Sequence, residues 1–237
     1  MMNVLAEIKW KYLMHRTYFR ASKGSCKIGR NVRIKNSRIF ISPGATLVIG
    51  DNVNIENAMI YVGKGCCFID SYSIIGGERG TTSFIVDNGD VHIGHHSKVS
   101  LKRIWVRFGG RVAIGNYTNI NAGSEVRCDE SVVIGDYNQI SYDVNIWDTN
   151  THSILPVAER RKMTEDYYPY FGKELSRPKT KPIVIGDDCW IGQKASILKG
   201  CGIGNEVIVG YNCLLAGTAV PDRHTVVSDV SLKIMKR

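Results

Sequence analysis

His152 is the side chain of this 237-residue chain with the clearest potential for chemistry. It lies in the segment WDTNTHSI, four residues after Asp148, where a long interruption of an otherwise regular sequence begins. The pKa of an unperturbed imidazole lies near neutral pH, so a histidine can accept a proton from a hydroxyl group. We therefore interpret His152 as a candidate general base, and Asp148, Glu159 and Glu165 remain the alternatives for the acid that orients its ring.

The other histidines do not form an evident site. Three of them lie in or beside one turn, IGHHSK, where we expect solvated side chains rather than a metal cluster: His92, His95 and His96. A metal-dependent hydratase would need three imidazoles that converge on a zinc ion between subunits. This function stays open as an alternative.

The cysteines follow a repeat rather than a metal-binding pattern. Cys189, Cys201 and Cys213 are twelve residues apart and occupy one column of a six-residue repeat, where free cysteine packs as a small hydrophobic side chain. The spacing of the seven cysteines matches neither a zinc site nor a disulfide framework. We expect free thiols and no bound metal.

A six-residue repeat determines the expected fold. Residues 185–220 divide into six consecutive hexads, IGDDCW, IGQKAS, ILKGCG, IGNEVI, VGYNCL and LAGTAV. An aliphatic residue begins every hexad, and the same phase returns upstream, for example at Ile28, Ile34, Ile134 and Ile140. A short fixed period is the signature of a solenoid, whose stacked coils bury what no single coil could bury. The sequence therefore predicts an all-β chain that forms a parallel β-helix.

We expect one solenoid domain over residues 25–225, with a different segment at each end. Residues 1–24 lack the hexad and carry apolar residues at helical spacing among basic ones, which predicts an amphipathic helix. This helix would cap the solenoid or contact an anionic membrane surface. Residues 226–237 form a basic tail, and a long excursion loop over residues 147–181 interrupts the repeat. Long excursions from a compact scaffold tend to be functional.

The charge of the chain favours anionic ligands. The formal net charge is +9, but the basic residues are scattered and no nucleic-acid-binding motif accompanies them. We therefore expect no nucleic-acid partner and favour anionic small molecules such as coenzyme A or a nucleotide-linked sugar. No apolar run is long enough for a membrane span or a signal-peptide core, so we expect a cytoplasmic protein, with peripheral membrane contact as an additional role of the N-terminal helix.

Two segments together carry a resemblance to a known family. WDTNTHSI, a basic loop and then KPIVIGDDCWIGQKASILKGCGIGNEVIVG resemble the signature of the hexapeptide-repeat acyltransferases, and among them the bacterial polysaccharide and sugar O-acetyltransferases. The resemblance covers about residues 25 to 225. It implies a left-handed parallel β-helix, a homotrimer with active sites between subunits, and acetyl-CoA as the acetyl donor.

The resemblance also implies roles for individual residues. His152 corresponds to the catalytic histidine, and Asn121, with Asn119 as its competitor, corresponds to a polar residue of an earlier coil. Trp190 is expected beside the acetyl-CoA site. The other expected coenzyme contacts are Gly192, Gly210 and Tyr211 along the pantetheine arm and Lys194. The lysine that usually ends the repeat in relatives is missing, so the candidates for binding the terminal phosphate are Lys194, Lys199, Lys233, Lys236 and Arg237.

These observations predict an acetyl-CoA-dependent O-acetyltransferase that modifies a sugar hydroxyl of a bacterial surface glycan, such as a capsule, an O-antigen or a precursor. The acetyl group would pass directly to the acceptor, with His152 as general base. Three alternatives stay open: an N-acetyltransferase of a nucleotide-linked amino sugar, a metal-dependent hydratase, and a non-enzymatic β-solenoid. The sequence does not identify the acceptor, because acceptor choice would lie in residues 154–180.

Overall fold

The fold is a stack of short parallel strands wound into three sheets. The computed structural model describes residues 14–21, 25–77, 79–169, 176–229 and 235. Successive strands along the chain belong in turn to sheet A, sheet B and sheet C, so that each strand pairs with the third strand before it and the third strand after it. Sheets B and C have nine strands each, which corresponds to about nine coils. The predicted parallel β-solenoid is confirmed.

The strands are numbered in chain order. Sheet A contains β1 (Met14–His15), β4 (Arg33–Lys35), β7 (Asn54–Glu56), β10 (Ile74–Gly76), β13 (Lys98–Val99), β16 (Asn119–Ile120), β19 (Gln139–Ile140), β22 (Trp190–Ile191), β25 (Ile208–Val209) and β28 (Thr225–Val226). Sheet B contains β2 (Tyr18–Ala21), β5 (Arg38–Ile41), β8 (Ala58–Val62), β11 (Thr82–Val86), β14 (Arg103–Val106), β17 (Glu125–Cys128), β20 (Asn145–Trp147), β23 (Ser196–Leu198) and β26 (Leu214–Ala216). Sheet C contains β3 (Cys26–Ile28), β6 (Thr46–Ile49), β9 (Gly65–Ile69), β12 (Gly89–Ile93), β15 (Gly110–Ile114), β18 (Ser131–Ile134), β21 (Ile183–Ile185), β24 (Gly202–Ile203) and β27 (Ala219–Val220).

Aliphatic side chains at equivalent positions of successive coils form the core. Ile185 pairs with Ile203, and Trp190 with Ile208, a spacing of eighteen residues or three hexads per coil. Strand residues alternate between this interior and the outer surface, as the buried, half-buried and exposed positions of β8 illustrate. One ladder of fully or almost fully buried residues runs through sheet A: Ile34, Ile55, Ile75, Val99, Ile120, Ile140, Ile191 and Val209.

The cysteines lie as the repeat predicts. Cys189, Cys201 and Cys213 are buried in the core, and all seven cysteines are free. Burial raises the pKa of the Cys189 thiol above its ordinary value, since the charged thiolate would lose its solvation there. These side chains therefore act as small apolar core residues.

The three corners of each coil, where the chain passes from one sheet to the next, are the A–B, B–C and C–A corners. The excursion leaves the solenoid at a B–C corner, after Trp147, and returns before Ile183. Thr149 and Thr180 form an antiparallel bridge that joins its two ends. Lys181 N–H also donates to the carbonyl of Asp148 at 2.9 Å, so the excursion has a closed neck.

The excursion contains a helix where a loop was expected. Helix α1 spans Val157–Asp166, begins directly after Pro156 and has no buried residue. Glu159 lies in the first turn, where its negative charge interacts favourably with the positive end of the helix dipole. Lys162 forms an ion pair of 3.0 Å with Asp166, one turn further along the helix. Such local interactions stabilise a solvent-exposed helix that has no repeating apolar pattern. Because a helix is indicated in a sequence by an apolar repeat, the sequence did not indicate this one.

The N-terminal segment differs from its prediction in the part that is described. Met14–His15 and Tyr18–Ala21 are strands that pair with β4 and β5, so the ladders of sheets A and B begin inside the segment expected to be a helix. The remainder of the predicted helix, residues 1–13, lies outside the described residues, as does most of the basic tail at 226–237. Among the helices that the described part of the chain contains, none has the length and apolar character of a membrane span.

Close stacking of the coils is expected to make particular glycines irreplaceable. Gly44 and Gly76 have almost the same backbone conformation, with φ values of +82° and +83°. Their surroundings differ: a Cβ at Gly76 would lie 2.1 Å from the carbonyl oxygen of Glu56, and a Cβ at Gly44 would meet nothing within 4 Å. We expect Gly44→Ala to cost about 1 kcal/mol for its backbone conformation. Gly76→Ala should cost a further 1 to 3 kcal/mol, roughly the cost of overpacking. Denaturant unfolding of both variants measures the difference, and equal losses would contradict it.

Candidate active site

Trp190 lies on the outer surface of sheet A. Its side chain is 58% exposed although it belongs to a strand of the core ladder. It pairs in register with Gln139 on one side and with Ile208 on the other, and Gln139 pairs in turn with Asn119. Trp190 and Asn119, the alternative to Asn121, therefore occupy equivalent positions on the outer face of sheet A, with one coil between them.

The other residues expected to contact the coenzyme form one continuous patch at the A–B corner next to Trp190. A Cβ at Gly192 would come within 2.7 to 2.9 Å of the backbone of Val209, Gly210 and Tyr211, so only glycine allows these coils to stack this closely. Lys194 lies on the same corner, with its Nζ 5.8 Å from the centre of the exposed Tyr211 ring. The patch combines bare backbone, an aromatic face and a cation, which are features that suit an extended anionic ligand.

Asn121 occupies the same corner two coils before Gly192. The backbone N–H of Asn121 donates to Ile140, that of Ser141 to Ile191 and that of Gly192 to Val209, so Asn121, Ser141 and Gly192 are equivalent positions. The Oδ1 of Asn121 accepts a hydrogen bond of 3.1 Å from Asn119 Nδ2. Since that bond occupies the carboxamide oxygen of Asn121, its amide group is oriented to donate.

The two asparagines leave one acceptor without a donor. Asn119 Oδ1 is buried, and the described residues provide it with no hydrogen-bond partner. A buried carbonyl oxygen without a donor is unfavourable. Asn121 Nδ2 therefore provides a donor group at this corner, and Asn119 Oδ1 is an acceptor buried in the strand beside it.

His152 lies on a different corner from the expected coenzyme contacts. It is exposed and follows the neck residues of the excursion at the B–C corner, whereas Trp190 and Gly192 lie on sheet A and the A–B corner. The whole of sheet B separates these two corners, and its three- to five-residue strands span about 10 to 16 Å at 3.3 Å per residue. Within one chain, the structure brings the coenzyme residues and Asn121 together and leaves His152 apart.

Asp148 lies in the interior at the start of the excursion. Its side chain is fully buried, and its two oxygens accept hydrogen bonds of 2.7 to 2.8 Å from the backbone N–H groups of Asp129, Glu130 and Ser131 and one of 3.4 Å from the thiol of Cys128. Burial raises the pKa of Asp148, and the N–H donors partly counteract this effect. The carboxylate therefore holds the turn of the preceding coil.

The remaining candidates for orienting His152 or binding phosphate are dispersed. Glu159 and Glu165 lie on the exposed helix α1. Lys199 bonds to Asn150 Oδ1 at the neck of the excursion, which ties its charge to that segment. The tail candidates Lys233, Lys236 and Arg237 lie outside the described residues.

Sequence reasoning missed a polar network behind His152. Arg107 and Asp129 form an ion pair with Nη2 to Oδ2 at 2.8 Å, and their side chains are only 11% and 1% exposed. Both contact the neck of the excursion: Arg107 donates to the carbonyl of Thr151, and Asp129 accepts from the hydroxyl of Thr149. No motif marks these residues, because each partner comes from a different coil and is therefore distant in sequence.

The histidine turn forms an aromatic stack. The His96 ring lies between the rings of Tyr72 and Tyr117, with centroid distances of 4.7 and 4.9 Å, and Tyr137 extends the stack by 5.0 Å. His92 stacks on Phe68 instead. The described residues contain no group of histidine, cysteine and acidic side chains that could hold a metal ion.

Known proteins share the repeat and the fold of this chain. Residues 182–217 match the family model described as bacterial transferase hexapeptide (six repeats). The matched residues belong to the last coils of the solenoid, so this family model describes the same six-residue repeat that the coil geometry shows. A solved structure titled polySia specific acetyltransferase NeuO aligns with 94% of this chain and 83% of its own, at 22% identity and a TM-score of 0.50, which supports the fold.

Two curated relatives carry acetyltransferase names. One, from Mycobacterium tuberculosis, is named a probable acetyltransferase and is 26% identical over 62% of this chain, but the match spans only 42% of that protein. The other, WbbJ of Escherichia coli, has the provisional name of a lipopolysaccharide biosynthesis O-acetyl transferase and is 26% identical over 65% of this chain and 75% of its own. The expected resemblance to hexapeptide-repeat acyltransferases and bacterial O-acetyltransferases is therefore confirmed.

Replacing Asp148 tests whether this carboxylate is structural. Asp148→Ala would leave three backbone N–H groups, one buried and two part-buried, without their acceptor, and we expect it to lower the free energy of unfolding by about 3 kcal/mol. Glu159→Ala, on the exposed face of helix α1, is the control and should change stability by less than about 0.5 kcal/mol. Denaturant unfolding at neutral pH measures both, and a stable Asp148→Ala protein would contradict the structural role.

Proposed function

We propose that the chain transfers an acetyl group from acetyl-CoA to a sugar hydroxyl of a bacterial surface glycan or its precursor. The observation that carries this proposal is the combination of an exposed histidine at the neck of the long excursion with a glycine-lined corner beside an exposed tryptophan. The acetyltransferase names of the relatives and the O-acetyl transferase name of WbbJ favour the same reaction.

The separation of His152 from the coenzyme patch favours a site shared between subunits. A B–C corner and an A–B corner of one chain cannot contact the same small reacting group across the width of sheet B. Corners of neighbouring chains can do so when identical solenoids pack side by side around a three-fold axis. We therefore infer a homotrimer of left-handed solenoids, in which His152 of one subunit faces Trp190 and Gly192 of the next.

The chemistry follows from the groups that this arrangement would assemble. His152 accepts the proton of the acceptor hydroxyl as its oxygen attacks the thioester carbonyl, and the resulting imidazolium returns a proton to the departing thiolate. The oxyanion that forms on the carbonyl requires N–H donors, and Asn121 Nδ2 is available for this because Asn119 engages its oxygen. No covalent enzyme intermediate and no metal ion is needed.

The coenzyme would lie along the patch formed by Gly192, Gly210 and Tyr211. Trp190 offers an exposed ring for the adenine or the pantetheine arm, and Lys194 offers a cation for phosphate. The acceptor would reach His152 over the excursion, whose arginines and lysines suit an acidic glycan or a nucleotide-linked sugar. The reaction is expected on the cytoplasmic side of the membrane, where acetyl-CoA is found.

His152→Ala tests the general base. We expect kcat/KM for acetyl transfer to a glycan acceptor to fall by at least about 100-fold, because a positioned base typically contributes that much. His92→Ala is the control, since His92 is an exposed histidine of sheet C that stacks on Phe68 and would be required only by a metal site. Thiol release from acetyl-CoA over a panel of neutral, acidic and amino sugars measures both variants. Full activity of His152→Ala would refute the assignment.

Trp190→Ala tests the coenzyme patch. We expect KM for acetyl-CoA to rise about 10-fold or more with kcat little changed, because losing an exposed ring removes stacking worth about 1 to 3 kcal/mol. Tyr72→Ala is matched to it, as Tyr72 is 55% exposed but lies on a distant coil of the C–A corner. Equal effects of the two substitutions on KM would place the coenzyme elsewhere.

A further inference from the structure

We infer that Arg107, Asp129 and Thr149 form a positioning unit that fixes the backbone of Thr151 and so sets the direction in which His152 leaves the solenoid. These three residues do not touch the reacting atoms; they act through the residue that precedes the base. The inference rests on the proposed role of His152.

Asp129 is the centre of the unit. Its carboxylate accepts hydrogen bonds of 2.9 and 2.8 Å from Nε and Nη2 of Arg107 and one of 2.6 Å from the hydroxyl of Thr149. Its own backbone N–H donates to Asp148 Oδ1 at 2.8 Å, so the turn that carries it is also held. A buried carboxylate with this many donors is held in a single orientation.

Every polar group of Thr151 is held by the network. Its N–H donates to Thr149 Oγ1 at 3.0 Å, its carbonyl accepts from Arg107 Nη2 at 3.0 Å, and its hydroxyl accepts from Arg127 Nη1 at 3.3 Å. Thr151 also has a φ of +68°, a conformation that a β-branched residue rarely adopts. Such a conformation persists only where the surroundings hold it, and it is typical of functional sites.

The arginine is itself immobilised. The guanidinium carbon of Arg107 lies 4.5 Å from the centre of the Trp105 ring and 5.1 Å from that of Phe108. The planar fork of arginine binds Asp129 in a bidentate manner and still reaches the Thr151 carbonyl, which a lysine could not do. Two coils of the solenoid therefore dictate the backbone geometry immediately before His152.

A general base is effective only in a narrow range of positions. A displacement of about 1 Å can reduce the rate roughly 100-fold. If the unit served only to hold the excursion in place, its loss would lower stability and leave turnover unchanged. If it directs His152, its loss lowers kcat at saturating acetyl-CoA, and KM for acetyl-CoA stays the same because the coenzyme patch lies on another corner.

Thr149→Val and Thr149→Ser form a matched pair for the test. Valine keeps the shape of the buried side chain and removes the hydroxyl that joins Asp129 to the Thr151 N–H, whereas serine retains that hydroxyl. We expect Thr149→Val to lower kcat by roughly 10- to 100-fold with KM for acetyl-CoA unchanged, and Thr149→Ser to stay within about 2-fold of the wild type. Arg107→Lys should lower kcat in the same way.

A second readout does not depend on activity. The NMR signal of the His152 Cε1–H group, assigned by its loss in His152→Ala, should move in Thr149→Val and stay in place in Thr149→Ser. Unchanged kcat and an unchanged His152 signal in Thr149→Val would overturn the inference, even if the melting temperature fell. If wild-type protein releases no thiol with any acceptor, the proposed function fails, and the NMR comparison alone then decides whether the unit positions His152.

Discussion

In-register stacking of parallel coils is the constraint on which the rest of this molecule depends. Each interior position faces its equivalent in the coils before and after it, as in the aliphatic ladder of sheet A from Ile34 to Val209. Parallel strands of this length are stable only when their backbone groups find partners in the next coil and their inward side chains are apolar or fully hydrogen-bonded. The interior is therefore unable to carry chemistry, and polar function is confined to the outer faces and corners.

The corners differ in what they can offer. At the A–B corner, the absence of a side chain at Gly192 lets two coils approach closely and exposes backbone beside Trp190 and Tyr211. At the B–C corner, the chain departs into the excursion and exposes His152. A regular solenoid repeats each corner along its axis, so groups on different corners of one chain stay apart. The proposed reaction accordingly depends on contact between chains.

Where the chain leaves the solenoid, buried carboxylates replace missing backbone hydrogen-bond acceptors. Where the excursion begins, backbone N–H groups of the preceding coil lose the partners that a regular next coil would supply. Asp148 accepts hydrogen bonds from three of these N–H groups. Asp129 accepts hydrogen bonds from Arg107 and Thr149 at the same place. Buried charges are tolerated because they are fully hydrogen-bonded. The same interactions that close the neck of the excursion also define the backbone before His152.

The hexads alone determined the coiled fold and the burial of the cysteine column, because a fixed period assigns each residue to the interior or the surface before any contact is known. They also marked His152 as the residue at the start of the excursion. Helix α1, the strands at Met14 and Tyr18, and the structural role of Asp148 were decided by the tertiary structure. So was the Arg107 network, whose partners are separated by a coil or more of sequence. Contacts between coils join residues that no local pattern connects, and only the folded stack brings them together.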